Sequence, residues 1–180
     1  MKHFLLYLLI SFLALLKINI ANAQVNTQDS LALVDLYNST NGANWANHPN
    51  WLTTAPVSTW YGITLDGNNR VKFLSLVSNQ LTGSLPSSIG NLTNLQELEL
   101  GSNQLSGSIP SSLGNLPNLQ YLDLANNLFT FAGLEPFVPV AKANASITLF
   151  DYSPQSTILP ITYKNGTLSV SAGGTLSNNT

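Results

Sequence analysis

Glu97 and Glu99 stand two residues apart, and Tyr121 and Asp123 repeat that relation 24 positions later. On an extended strand such a pair shares one face at about 6.7 Å, inside the separation that inverting glycoside hydrolases use. That chemistry also needs a cleft that keeps one carboxyl protonated, and an open, shallow sheet gives neither burial nor enclosure. What remains is electrostatic. Carboxylates flanked by Phe73 and Tyr121 suit a basic peptide or another cationic group, with a calcium site and a plain solvated surface as the competing readings.

Other reactive constellations are missing. The chain has no cysteine; His3 lies in the N-terminal apolar segment, and His48, beside Pro49 in a polar stretch, reads as surface. These residues supply neither a Ser-His-Asp set nor the usual ligands of a zinc site, and no glycine-rich phosphate loop occurs. The sequence is therefore read as non-enzymatic, with no catalytic residue, no metal and no cofactor.

The elements that must position those carboxylates follow from a repeat. Residues 71–92 align without a gap on residues 95–116, and a third copy opens at Leu119-Gln120-Tyr121-Leu122-Asp123-Leu124, keeps Asn127 and departs at Phe129-Thr130-Phe131. The frame is Leu-x-x-Leu-x-Leu-x-x-Asn-x-Leu, continued in two copies by x-Gly-x-Ile/Leu-Pro. Leucines two apart, such as Leu74 and Leu76 or Leu98 and Leu100, point to one side of a short strand and fill a common core. The residues between them face solvent. In stacked copies Phe73, Glu97 and Tyr121 make one exposed column, Ser75, Glu99 and Asp123 a second, and Val77, Gly101 and Ala125 a third.

Asn79, Asn103 and Asn127 fall where the chain leaves each strand, where a buried amide can satisfy turn groups that no strand neighbour reaches, so stacked copies predict an asparagine ladder. Gly83 and Gly107 permit a tight bend, and Pro86 and Pro110 end the extended stretch before Ile89 or Leu113 turns inward. One repeat cannot bury both its sides, so stability comes from neighbours and both ends need caps.

Residues 24–70 carry no repeat and suit an N-terminal cap. Asp29 or Ser30 is placed to start a helix bearing Leu31, Leu33, Val34, Leu36 and Tyr37, which Asn41-Gly42 stops. Trp45, Trp51, Trp60 and Tyr61 then read as a plug over the first repeat, or else as a platform for stacking carbohydrate. Ile63-Thr64-Leu65 reads as an added strand and Asp66 to Arg70 as a turn. After Asn127, residues Phe129 to Val138 continue as a variant turn or short helix, Ile147 to Tyr152 closes the sheet, and Ser153-Pro154-Gln155 ends the solenoid.

The two ends have a different character. Residues 1–23 read as an export signal: Lys2, an apolar run from Phe4 to Leu16, and the small-x-small site Ala21-Asn22-Ala23. Lys17 and Asn19 cut that run short of the ~20 residues a bilayer span needs, and no later segment approaches that length. Its removal leaves Arg70, Lys72, Lys142 and Lys164 against eight carboxylates, a net charge of −4, which offers no footprint for a phosphate backbone. Nucleic acid is thereby excluded as a partner. Residues 156–180 read either as a loose tail or as the start of a truncated β-sandwich module, with Thr167 to Gly174 as a first strand and glycine turn.

The Gly-x-Ile/Leu-Pro form of the repeat resembles the plant-type leucine-rich repeats of receptor ectodomains. Asn41-Gly42-Ala43-Asn44-Trp45, Asn50-Trp51 and Trp60-Tyr61-Gly62-Ile63-Thr64 resemble the cap of secreted bacterial proteins with the same repeat, and the absence of the plant cysteine pair agrees with that group. The expected fold is α/β and β-rich, a short right-handed leucine-rich-repeat solenoid over residues 71–155 behind a helical, aromatic-rich cap. The expected function is a secreted or cell-surface module that binds an extracellular protein, peptide or glycan through Phe73, Ser75, Glu97, Glu99, Tyr121 and Asp123. The alternative is a structural spacer or carrier within a larger surface protein. Four or five strands span only about 20 Å, so the sheet alone is marginal for the ~800 Å² per partner of a specific interface.

Overall fold

The structure is a computed structural model that describes residues 25–153, residue 155 and the strand residues 161–164, 167–170 and 174–176. The export signal expected over residues 1–23 lies outside the described residues. Among the described residues no helix is long and apolar enough to cross a membrane.

Helix α1, Thr27–Ser39, begins one turn earlier than the sequence reading places it. Asn26 is its N-cap, its side-chain oxygen accepting from the Gln28 amide at 2.9 Å. Asp29, read above as a cap, is instead fully buried and accepts from the Arg70 guanidinium and the Val71 amide at the start of the first repeat. The buried face is Asp29, Ala32, Leu33 and Leu36, the i, i+3, i+4, i+7 spacing of one helical stripe, whereas Leu31 is 59% exposed. Asn41 stops the helix by adopting a left-handed conformation, φ 61°, and the chain then folds through short 3₁₀ turns at Gly42–Asn44 and Val57–Thr59.

The turns carry the aromatic residues inward. Trp45, Trp51 and Trp60 are 3%, 3% and 7% exposed, so the plug reading holds for the three tryptophans and they form no carbohydrate platform, whereas Tyr61, read as a fourth member, is 40% exposed. Each indole N–H finds a backbone carbonyl: Trp45 donates to Thr40 at 2.9 Å, Trp51 to Tyr61 at 2.9 Å and Trp60 to Ala55 at 3.2 Å. Tyr37 closes the cluster edge-on to Trp45 and stacked on Trp51.

Strand β1, Ile63–Leu65, runs antiparallel to β2, Val71–Ser75, through the tight turn at Asp66–Arg70. From β2 onward the repeat takes over. A short outer strand β3, Thr82–Gly83, and a 3₁₀ helix, Ser87–Asn91, return the chain to β4, Glu97–Glu99. The next copy runs through β5, Gln104–Leu105, and helix α2, Ser111–Gly114, to β6, Tyr121–Asp123. Where the third copy departs from the frame, Thr130 caps helix α3, Phe131–Leu134, and helix α4, Val138–Ala143, leads to β7, Leu149–Asp151. The sheet order is β1-β2-β4-β6-β7, all parallel after the first strand, and β3 pairs with β5 on the outer side.

The core is the stack of repeat leucines. Leu74, Leu98 and Leu122 lie in register on adjacent strands, as the spacing predicts, and are at most 1% exposed, as are Leu76, Leu100 and Leu124. Each such side chain contributes about 1.5–3 kcal/mol by leaving water. Gly83 and Gly107 have φ of +85° and +81°, and Pro86 and Pro110 precede the inward helical turns that bury Ile89 and Leu113. The outcome is a short leucine-rich-repeat solenoid of mixed α/β type behind a helical, aromatic cap.

Thr167–Val170 departs from expectation. It is the central strand, β9, of a three-stranded antiparallel sheet with β8, Ile161–Lys164, before it and β10, Gly174–Leu176, after it. The strand Ile161–Lys164 carries the same alternation and closes the sheet from the N-terminal side.

Candidate functional site

The strands present the columns that the period requires. Phe73 pairs with Glu97 and Glu97 with Tyr121, while Ser75 pairs with Glu99 and Glu99 with Asp123. Strand β7 extends both columns, adding Leu149 beside Tyr121 and Asp151 beside Asp123. The closing strand was expected over Ile147 to Tyr152, but the columns were not extended to these two residues because helices α3 and α4 lengthen the third repeat and break the fixed period. The alternation of Leu149, Phe150 and Asp151 was the signal available for them.

Three carboxylates, Glu99, Asp123 and Asp151, thus sit on consecutive strands, which are ~4.8 Å apart. Ser75 Oγ donates to Glu99 Oε2 at 2.7 Å and ties down the first of them. The Ala125 amide donates to Asp123 Oδ1 at 2.9 Å and ties down the second. Gly101, on the neighbouring column, is buried beneath the Asp123 carboxylate, which occupies the space a Cβ would need. The third column is therefore partly covered: Val77 is 40% exposed, but Gly101 and Ala125 are buried.

The charges reinforce one another. Burial pushes the Asp123 carboxyl above its ordinary range, and Asp151 and Glu99 add to the shift against the opposing Ala125 hydrogen bond. Burial also raises Tyr121, with Asp123, Glu99, Asp151 and Glu97 contributing in that order. The shift keeps the phenol in its neutral form. Lys72 does not neutralise the cluster: its ammonium lies over the Phe73 ring at 4.6 Å, and the ion pair among the described residues is Arg70 with Asp29. A groove of about 540 Å³ opens beside Phe73, lined by Thr64, Asp66, Lys72, Asn94 and Gln96.

Glu97 and Glu99 lie on this open sheet, both partly exposed. His48 is exposed in the cap. Among the described residues no group of three or more histidine, cysteine or acidic side chains is arranged to hold a metal ion.

The asparagine ladder forms where the chain leaves each strand and ties neighbouring turns together. Asn103 Nδ2 donates to the carbonyls of Leu76, Leu100 and Gly101 at 2.8, 2.9 and 3.2 Å, and its Oδ1 accepts from the Asn79 and Leu81 amides at 2.9 and 3.0 Å. Asn127 repeats the pattern one rung on, from Leu100 to the Leu105 amide. Asn79 turns to the cap, where it exchanges hydrogen bonds with the Asn47 backbone. All three are buried, and so is a fourth member that the sequence reading missed, Gln155.

The leucine-rich-repeat family model matches residues 65–129. A probable leucine-rich repeat receptor-like protein kinase of Arabidopsis thaliana is 42% identical over 50 residues, which are 27% of this chain and 5% of that protein. Among solved structures, the BIR3–SERK2 complex from Arabidopsis thaliana superposes with a TM-score of 0.54 at 30% identity, covering 71% of this chain and 69% of that one. A plant ice-binding protein shares the fold, with a TM-score of 0.60 at 24% identity over 73% of this chain and 42% of its own. The chain spans less than half the length of both the kinase and the ice-binding protein. With the repeat, its ladder and its parallel sheet already in place, these likenesses fix the assignment: the chain belongs to the leucine-rich-repeat family.

Proposed function

We propose that this chain is a non-catalytic recognition module, secreted or held at a cell surface, that binds a basic peptide or a basic segment of an extracellular protein on its concave sheet. The observation that carries the reading is the pair of columns, Phe73–Glu97–Tyr121–Leu149 beside Ser75–Glu99–Asp123–Asp151, which sets four carboxylates among two aromatic rings and a leucine on adjacent strands. An extended chain laid across the strands would set its cations against the acidic column and its aliphatic stems against Phe73, Tyr121 and Leu149. Desolvated aromatic side chains supply contact area, and the carboxylates supply register and rate of encounter.

Two further observations support it. The ladder's hydrogen bonds hold the turns that flank the sheet, which lowers the ordering cost on the protein side. A solved relative is itself a complex of two proteins, BIR3 with SERK2.

The test is a binding screen of the 24–180 product against cationic and neutral peptides, cell-wall fragments and surface glycans, beside the Glu97→Ala/Glu99→Ala/Tyr121→Ala variant. Saturable binding of cationic peptides that weakens with salt and disappears in the variant is expected. Binding that survives the triple substitution removes the concave sheet as the site. No binding by a folded sample favours a spacer that presents other modules.

A further inference from the structure

The asparagine ladder occupies the side on which the strands end. On the side where they begin, the period sets out other amides: Asn94 and Asn118 stand 24 residues apart, and Lys72, Gln96 and Gln120 follow one another at the same interval. Backbone hydrogen bonds hold the latter three in a row, the Gln96 amide donating to the Lys72 carbonyl and the Gln120 amide to the Gln96 carbonyl, both at 2.8 Å. Lys72 owes its place to an irregularity. Thr64 pairs with Phe73 and Leu65 with Val71, so Lys72 has no partner on β1 and is the extra residue of a bulge. Bulges re-aim side chains, and here the lysine lines the groove of about 540 Å³ that Asp66 of the β1–β2 turn shares with Asn94, Gln96 and Asn118.

The groove's hydrogen-bonding groups are partly engaged. Asn94 Nδ2 donates to Asp66 Oδ2 and Asn118 Nδ2 to the Thr93 carbonyl, both at 2.8 Å. Each side-chain amide is thereby oriented, and its carbonyl oxygen is left without a donor among the described residues. The Asp66 carboxylate also accepts from the Asn68 and Arg70 amides at 2.8 and 3.0 Å, so it serves the turn. The half-buried Gln96 side chain and the Lys72 ammonium have no hydrogen-bond partner among the described residues. In charge the groove is balanced, one ammonium against one carboxylate, whereas the columns beyond Phe73 carry Glu97, Glu99, Asp123 and Asp151.

That balance selects the ligand. An anion beside Lys72 would also lie near Asp66 and near Glu97, the cross-strand neighbour of Phe73, and a cation is drawn to the acidic columns instead. A neutral ligand must satisfy oriented carbonyl acceptors and free amide and ammonium donors side by side. A hydroxyl is donor and acceptor in one atom and does so in either orientation, whereas a peptide unit carries its N–H and C=O on opposite sides. We infer that the groove is a binding site for a neutral saccharide, held by Lys72, Asn94, Gln96 and Asn118 with Phe73 as its apolar wall. Its volume lies within the ~300–1,000 Å³ of small-molecule sites. The groove stands outside the acidic columns apart from the Phe73 edge, so sugar binding is independent of the concave-face reading.

An array of neutral oligosaccharides built from hexose, pentose and N-acetylhexosamine units, with uronate and sulfated counterparts, tests this on the 24–180 product. The unsubstituted chain is compared with Lys72→Met/Gln96→Leu, which keeps the bulk of both side chains and removes their polar heads, and with Glu97→Ala/Glu99→Ala/Tyr121→Ala on the columns. Expected is saturable binding of a neutral oligosaccharide, unchanged from about 0.05 to 0.5 M salt. It should weaken roughly tenfold or more in the groove variant and persist in the column variant, where binding of a cationic peptide is lost. Binding of no neutral sugar, binding confined to the uronates or sulfates, or equal binding by the groove variant each overturns the proposal. If the groove variant does not fold, the Gln96 side-chain NH₂ resonances of the unsubstituted chain decide. A shift that saturates with the tightest neutral sugar supports the site, and no shift overturns it.

Discussion

Gln155 and Asn127 donate to the same carbonyl oxygen, that of Leu124, at 2.8 and 3.1 Å. One rung earlier Asn127 and Asn103 share the Leu100 carbonyl in the same way, at 3.0 and 2.9 Å. Each turn is therefore held by its own amide and by that of the following repeat, which couples neighbouring rungs in the manner of a linear chain. Gln155 completes the last rung by accepting from the Phe129 amide at 3.1 Å.

Position in that chain sets the expected cost of losing a member. Asn103→Ala orphans the Leu76 carbonyl and the Asn79 and Leu81 amides in a buried setting, a loss of about 2–4 kcal/mol. Gln155→Ala, at the end, should cost about 1–2 kcal/mol. Urea unfolding of both variants checks the order. Equal losses would show that the rungs act independently of their place.

The regular part of this architecture was legible because it repeats. A fixed period placed Leu98 on Leu74, Glu99 on Ser75 and Asn103 after Asn79, and the pairing register agrees residue by residue. What escaped was whatever broke the period. Helices α3 and α4 lengthen the third repeat, so Leu149, Asp151 and Gln155 fall out of the frame although they complete two columns and the ladder. Glutamine reaches the Leu124 carbonyl with a side chain one methylene longer than asparagine, a substitution that a motif written with Asn cannot reveal. Asp29 was misassigned for a different reason. An acid near a helix start reads as a cap, and its partner Arg70 lies 41 residues away.

That pair makes a second expectation. Asp29 is fully buried and takes the Arg70 guanidinium on both oxygens at 3.0 and 2.9 Å, with the Val71 amide at 2.8 Å, so it joins helix α1 to the first strand of the repeat. Arg70→Ala leaves a buried carboxylate without its counter-charge, and a loss of about 3–5 kcal/mol is expected. The double replacement Asp29→Leu/Arg70→Met should recover much of it. Thermal melts of the three proteins decide the matter: a double variant no better than Arg70→Ala would assign the effect to packing and the Val71 hydrogen bond.

Backbone conformation gives a third. Gly83 has φ +85°, and a Cβ there would meet the Ser39 carbonyl at the end of helix α1, whereas Gly67 in the β1–β2 turn has nothing within 4 Å of that position. Gly83→Ala should destabilise by about 1–3 kcal/mol and loosen the cap against the repeats. Gly67→Ala should lie within about 0.5 kcal/mol of the parent chain. Matching unfolding midpoints for the two variants would contradict this account of the bend.

Asp123 separates stability from recognition. Its folded carboxyl binds a proton more tightly than the unfolded chain does, because burial and the neighbouring Asp151 and Glu99 disfavour the charge. The stability attached to it is therefore present at acid pH, below the unfolded pKa, and is lost as pH rises through the higher folded value. At neutral pH the ionised group is a net cost. Asp123→Asn removes that cost while an amide oxygen still accepts from the Ala125 N–H, so a gain of roughly 0.5 kcal/mol at pH 7 is expected, from relief of like-charge cross-strand repulsion. The gain should shrink with added salt and vanish below the carboxylate range, where the parent chain is protonated too. The same change removes one carboxylate of the acidic column, so affinity for a cationic peptide should fall as stability rises. Parallel melts from pH 3 to 8 and binding titrations would measure both. A variant less stable than the parent at pH 7 would mean that the Ala125 hydrogen bond, rather than repulsion, governs this carboxylate.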